Sequence, residues 1–140
     1  MPHDVLLRLV EAAAISAAAF ALYRLVSARA LRRASREADR SSLLSPGMPG
    51  IVYFTTKDCV TCKAAQKPAL RALEQQMDGR VQVVEVDAGD RPDLARQWSV
   101  LSVPTTFILD RTGKPRQINH GFASAQKLRG QLESVMEAAG

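Results

Sequence analysis

The hydrophobic pattern divides the chain into an apolar beginning and a more regular remainder. Residues 5–26 are almost entirely apolar and contain neither Pro nor Gly, whereas short β-prone runs alternate with helical periodicities from residue 51 onward. The first pattern predicts one long helix, and the second predicts an α/β domain. We therefore divide the chain into a hydrophobic helix at 1–27, a linker at 28–50 and a domain at 51–140.

The predicted linker is rich in Arg, Ser and Pro. Its first part contains no helix breaker and is able to continue the helix, but Ser41, Ser42 and the run at 45–50, which holds two Pro and two Gly, are expected to end it.

The residues from 51 onward predict the element order β-α-β-α-β-β-α. We expect strands at 51–54, 81–86, 105–109 and 114–119, and helices at 60–77, at 91–98 and from Ser124 to about 138. Asp90 and Ser124 are candidate N-caps of the last two helices. The first two strands are joined through a helix and should be parallel, whereas the turn at 110–113 makes the last two antiparallel. The expected fold is an α/β fold with a mixed four-stranded sheet flanked by helices, preceded by the N-terminal hydrophobic helix.

The N-terminal helix has the length of a membrane span. Residues 5–26 would extend about 33 Å as a helix, close to the roughly 30 Å hydrocarbon thickness of a bilayer. The charges at Arg8, Glu11 and Arg24 lie near its ends, and the stretch 12–23 is uncharged. A soluble or interfacial helix and a signal peptide are the alternatives. The missing charges in the middle, and a positive flank that follows the run, favour a membrane anchor.

The net charge of +5 on 140 residues is unevenly distributed. Six of the seven arginines in residues 1–48 lie within 24–40, directly after the apolar helix. Such a block beside an anchor predicts contact with lipid headgroups and argues against a nucleic-acid surface. Because positive flanks stay on the cytoplasmic side, we expect a single-pass protein of the cell membrane with its domain in the cytoplasm.

The chain contains two cysteines, Cys59 and Cys62, where the first strand passes into a helix. A helix N-terminus favours the thiolate of the first cysteine, and the second lies one turn on, where it is able to resolve a mixed disulfide. A structural zinc site needs four ligands, and the histidines are limited to His3 and His120, so zinc is disfavoured. A structural or inert cysteine pair is the other alternative. We expect a dithiol redox centre that uses no metal and no cofactor.

A second candidate site, Ser102-Val103-Pro104-Thr105, lies where the predicted third strand starts. Pro104 has no N–H to donate, so we expect it at the start of the strand and not within it.

Together these motifs resemble the thioredoxin-like superfamily. The resemblance rests on the C-x-x-C pair followed by Lys63, on the Val-Pro-Thr triplet, and on Asp110, Gly113 and Gly121 around the last hairpin. It implies the short form of the thioredoxin fold, with the N-terminal strand and helix of full thioredoxins replaced by the linker.

The resemblance also implies roles for individual residues. It makes Cys59 the nucleophile and Cys62 the resolving cysteine. It makes Pro104 a cis proline packed against the cysteines, and it makes the backbone of Val103 the partner of an extended substrate segment.

Some positions depart from the family pattern. Asp58 stands where thioredoxins have Trp, Val60 and Thr61 replace Gly-Pro, Tyr53 stands in place of the buried acid, and Pro68 comes one position late. The departures leave the redox direction and the route of the proton open.

The predicted function is a thioredoxin-like thiol–disulfide oxidoreductase that reduces disulfides. Its expected partners are protein or small-molecule disulfides, an unidentified dithiol electron donor, and the membrane through the N-terminal helix. One alternative is an extracytoplasmic protein of envelope or cytochrome maturation, and another is a non-catalytic interaction module. Among single side chains, we expect Trp98 to pack in the core and His120 to lie at the surface.

Overall fold

The computed structural model describes residues 2–41 and 43–138. Ser42, which we expected to help end the N-terminal helix, and residues 139–140 of the predicted domain lie outside the described residues. The elements are α1 (Pro2–Ser41), β1 (Gly50–Thr55), a π-helical segment (Cys62–Gln66), α2 (Lys67–Met77), β2 (Gln82–Asp87), α3 (Pro92–Gln97), β3 (Thr105–Leu109), β4 (Pro115–His120) and α4 (Ala125–Glu137). The predicted order after the N-terminal helix is confirmed.

The four strands form one mixed sheet in the order β2-β1-β3-β4. β1 is parallel to β2 and antiparallel to β3, and β3 is antiparallel to β4. The parallel pair is joined through helix α2 as a crossover requires, and the last two strands are joined by a tight turn. In that turn, the Asp110 carboxylate accepts hydrogen bonds from the backbone N–H of Thr112 and from Arg116 Nε, at 2.8 and 2.6 Å.

β1 is buried on both faces of the sheet. Its side chains alternate: Ile51 and Tyr53 lie in a core cluster with residues of α2 and α4, whereas Val52 and Phe54 lie in a second cluster with residues of α1 and α3. We call these the α2–α4 face and the α1–α3 face. The sheet therefore needs helices on both sides.

An aromatic group fills the α1–α3 face. The ring centroid of Trp98 lies 5.9 Å from that of Phe54 and 4.9 Å from that of Phe107. Trp98 is fully buried, so its predicted core role is confirmed.

Of the two predicted N-caps, one is confirmed and one is wrong. Ser124 Oγ accepts a hydrogen bond from the backbone N–H of Lys127, as a cap should. Asp90 does not cap α3, because the helix begins at Pro92 and Arg91 occupies the N-cap position; the Asp90 carboxylate bonds Lys57 instead.

The N-terminal helix continues well past residue 27. α1 runs to Ser41, and Ala30 and Ala34 are buried in the α1–α3 face, with 3% and 0% of their surface exposed. Leu43 and Leu44, after the helix, also pack against this cluster. The first part of the predicted linker is thus helical and covers the sheet. The sequence did not reveal this buried face of α1, because it consists of small alanines, spaced four residues apart, between arginines.

We predict that the sheet domain depends on this part of α1. Replacing Ala34 with Lys places a charge in a packed core and should lower the free energy of unfolding by more than about 2 kcal/mol. Ala28→Lys, at an exposed position of the same helix, is the matched control and should change it by about 0.5 kcal/mol or less. Denaturation followed by the fluorescence of Trp98, the single tryptophan, measures both. Equal stability of the two variants would show that α1 does not belong to the core.

Candidate active site

The two cysteines lie where β1 leads into the helical segment that ends as α2. Their sulfurs are joined in a disulfide, and their Cα atoms are 5.2 Å apart, within the ordinary range for such a bond. Cys59 is half-buried, and Cys62 is completely buried. The backbone N–H of Cys62 donates a hydrogen bond to Cys59 Sγ at 3.2 Å. This donor favours negative charge on the more exposed sulfur when the bond is reduced.

A π-helical segment directly follows the cysteines. The backbone N–H of Lys67 donates to the carbonyl of Cys62, five residues back. A π turn holds one residue more than an α turn. Pro68, which comes one position later than in the family pattern, therefore lies in the first turn of α2, where its missing N–H has little cost.

The π segment also places a buried amide that the sequence analysis missed. Gln66 is fully buried; its Nε2 donates to the carbonyl of Ala123 at 3.0 Å, and its Oε1 accepts the backbone N–H of Ala123 at 2.9 Å. Gln66 thereby ties the cysteine helix to the loop after β4. One signal in the sequence indicated this role: the helical spacing from Leu70 and Leu73 places residue 66 on the core side of the helix, where a Gln is unusual.

The loop before β3 contacts the core cluster that contains Cys62. The Val103–Pro104 peptide is cis, as the resemblance implied. Thr105 Oγ1 donates to the carbonyl of Ser102 at 2.7 Å, and the backbone N–H of Gly121 donates to the carbonyl of Pro104 at 2.8 Å. Val103 packs against the same core cluster as Cys59 and Cys62.

The backbone of Val103 is available to a partner. Within the described residues its N–H and carbonyl make no backbone hydrogen bond. A direct contact between Pro104 and the two sulfurs stays a prediction.

Two lysines near the site are engaged in ion pairs. Lys57 Nζ lies 2.8 Å from Asp90 Oδ1, and Lys67 Nζ lies 2.8 Å from Glu85 Oε1. The hydrogen bond with Asp90 raises the pKa of Lys57, and the bond with Glu85 raises the pKa of Lys67. Both lysines are therefore paired with carboxylates at the surface of the protein.

Tyr53 occupies the position of the family's buried acid. It is fully buried, and within the described residues its hydroxyl has no hydrogen-bond partner that meets ordinary geometry. Burial raises the pKa of Tyr53, and the nearby carboxylate of Glu85 acts in the same direction. The side chain is thus a neutral phenol at physiological pH, and it brings no carboxylate beneath Cys62.

His120 is held against α1 and is not a free surface residue. Its Nε2 lies 3.3 Å from Ser27 Oγ, and its ring meets the ring of Tyr23 edge to face at a centroid distance of 6.0 Å. Burial lowers the pKa of His120, which favours the neutral imidazole. Among the residues that the structure describes, no three His, Cys, Asp or Glu side chains form a group able to hold a metal ion.

Residues 34–134, from the buried end of α1 through most of α4, match the family model described as Thioredoxin. The chain therefore belongs to the thioredoxin family. It is 30% identical over 91 residues to thioredoxin Y, a chloroplastic protein of Oryza sativa, covering 65% of this chain and 53% of that protein. It is 29% identical over 69 residues to thioredoxin 1 of Nostoc sp., covering 49% of this chain and 64% of that protein.

Solved thioredoxin structures have the same fold. The structure of chloroplastic thioredoxin z superposes with a TM-score of 0.62 at 29% identity, covering 76% of this chain and 92% of that one. By contrast, this chain spans between about half and two thirds of the length of the curated relatives named above.

We predict that Gln66 holds the site together. Gln66→Met keeps the volume but leaves the N–H and carbonyl of Ala123 unpaired, which should lower the free energy of unfolding by about 2–5 kcal/mol. Gln75→Met, at an exposed position of α2, is the control and should be nearly neutral. Urea denaturation measures both, and a Gln66→Met protein as stable as the Gln75→Met protein would contradict the assignment.

Proposed function

We propose that this chain is a membrane-anchored thiol–disulfide oxidoreductase that reduces protein disulfides, with its thioredoxin domain in the cytoplasm. The observation that carries the chemistry is the cysteine pair: the more exposed sulfur accepts a backbone N–H, and the second is buried one turn further along the chain. Family membership supports the same chemistry.

In the proposed reaction, the Cys59 thiolate attacks one sulfur of the substrate disulfide. A Cys59–substrate bond forms, the substrate disulfide breaks, and the first substrate sulfur leaves as a thiolate. Cys62 loses its proton to solvent and attacks Cys59 Sγ, which forms the Cys59–Cys62 disulfide and releases the second substrate thiolate. Two electrons pass to the substrate, and a dithiol donor returns them to the pair.

The loop before β3 would hold the substrate during this exchange. The free N–H and carbonyl of Val103 are suited to pair with an extended peptide, as in a strand added to a sheet. Pro104, in the cis form, stands directly between Val103 and the first residue of β3.

Membrane attachment would be provided by α1. Among the described residues, one helix, at His3–Ala38, is long and apolar enough to cross a bilayer. No residue in its most apolar 18-residue stretch is buried inside the structure. The exposed side chains include Leu6, Ile15 and Phe20. The arginines after this stretch favour the cytoplasmic side for the domain, and the cytoplasm keeps thiols reduced, which favours a reductase.

We predict that both cysteines are needed and that they act in order. With dithiothreitol as electron donor and insulin as substrate, Cys59→Ser should lower the rate to that of dithiothreitol alone. Cys62→Ser should also stop turnover, but it should trap a Cys59–substrate disulfide that is visible on a non-reducing gel, because no sulfur is left to resolve it. Full turnover by Cys59→Ser would refute the catalytic role and support a non-catalytic module.

We predict that the cysteines are shielded from the outside of the cell. An impermeant thiol reagent, applied after reduction, should label Cys59 in lysed but not in intact cells. A chain with both cysteines changed to Ser and carrying His3→Cys should be labelled in intact cells, because the proposed orientation puts its N-terminus outside. Labelling of Cys59 in intact cells, together with no labelling at position 3, would place the domain outside and support the extracytoplasmic alternative.

A further inference from the structure

α1 crosses the α1–α3 face in a defined direction. Its last turns lie near the start of β1, where Ala38, Leu43 and Leu44 line a cleft with Leu109 and Gly113. Further back along α1, Ser27 lies against His120 at the end of β4. α1 is therefore antiparallel to β1, and the residues before Tyr23 project beyond the end of the sheet where β1 and β4 finish.

The cysteines lie at this same end. Phe54, Thr105 and His120 are in register across β1, β3 and β4 and form the last row of the sheet. Cys59 comes four residues after the end of β1, and Pro104 comes directly before the start of β3, so both lie beyond this row. We call this side of the domain the active-site edge.

The active-site edge lies close to the level at which α1 would leave a bilayer. The uncharged stretch of α1 ends at Tyr23, and Arg24 is the first charge after it. Ser27, which lies against His120, is only about 4.5 Å beyond Arg24 along the helix axis. The polar interface of a bilayer leaflet is itself roughly 5–8 Å thick. With α1 across the membrane, the cysteines would face the bilayer surface.

An apolar groove of about 430 Å³ opens at this level. Leu22, Tyr23 and neighbouring residues of α1 form one wall, and Leu101, Ser102 and His120 form the other. Leu101 is 77% exposed and lies two residues before Val103. The groove is thus continuous with the backbone that would hold the substrate. Val60 and Phe122, exposed by 77% and 50%, add apolar surface after Cys59 and after β4.

We propose that the substrate is a membrane protein whose disulfide lies at the bilayer surface, and that the groove binds the apolar residues beside that disulfide as the chain leaves the bilayer. A substrate peptide paired with Val103 would extend past Leu101 to α1. There the apolar residues of the substrate would contact both the groove and the lipid. A disulfide far from the membrane would have to reach back to an active-site edge that faces the lipid. This inference rests on the proposed function.

The test uses the full chain in vesicles of phosphatidylcholine and phosphatidylglycerol with two matched single-span peptides. Both carry the same disulfide loop, placed either directly after the span or beyond a 20-residue helical spacer, which moves it about 30 Å outward. The disulfide next to the span should be reduced at least about tenfold faster, because its effective concentration at the cysteines is higher. A soluble peptide with the same loop measures the underlying oxidoreductase activity.

Two variants test the groove. Leu22→Ser and Leu101→Ser should each lower the ratio of the near rate to the far rate, whereas Leu25→Ser, on α1 but outside the groove lining, is the control and should leave it unchanged. Vesicle flotation verifies that each variant is still bound. A photoreactive side chain at position 101 should cross-link to the near peptide.

The outcomes separate the two proposals. Equal rates for both peptides, or cross-links from position 101 to lipid or to a second copy but not to the peptide, would overturn the substrate assignment while the oxidoreductase function stands. A ratio insensitive to Leu22→Ser and Leu101→Ser would overturn the role of the groove. Failure to reduce any of the three disulfides, including the soluble one, would overturn the proposed function itself.

Discussion

The burial of β1 on both faces is the constraint on which the rest of the structure depends. A central strand whose side chains alternate between two cores must be covered from both sides, and α2 with α4 can cover only one of them. The other face requires the alanines of α1 in addition to α3. Because α1 is anchored there, the direction in which its apolar half leaves the domain is set by the packing of the sheet.

The helix after the cysteine pair contains one extra residue and still keeps its core-facing side chains in place. An extra residue between Cys62 and Pro68 would rotate the rest of a regular helix by about 100° and turn its apolar side chains away from the core. The π segment takes up this residue, so that Leu70, Leu73 and Met77 still face the sheet. Gln66, the last residue of this segment, faces inward, and its amide ties the loop after β4 to the cysteine helix.

The electrostatic surroundings of the cysteines differ from what the residue types suggest. Two charged side chains near the site, Lys57 and Glu85, form surface pairs with Asp90 and Lys67. Tyr53 fills the buried acid position with a neutral phenol. The backbone N–H of Cys62 and the beginning of the helix stabilise negative charge on the Cys59 sulfur locally.

The sequence by itself determined the element order, the mixed sheet and the cysteine pair, because period, turn residues and short motifs act within a few neighbours in the chain. The cis proline followed from the family resemblance. Tertiary structure alone decided three features. The stripe of Ala30 and Ala34 became core because a sheet face was open to it. Gln66 became buried because its amide finds both hydrogen-bond partners on Ala123, and His120 lost part of its exposure because α1 packs across β4. Each depends on contacts between residues far apart in sequence, and hydrophobic periodicity does not say which residues meet.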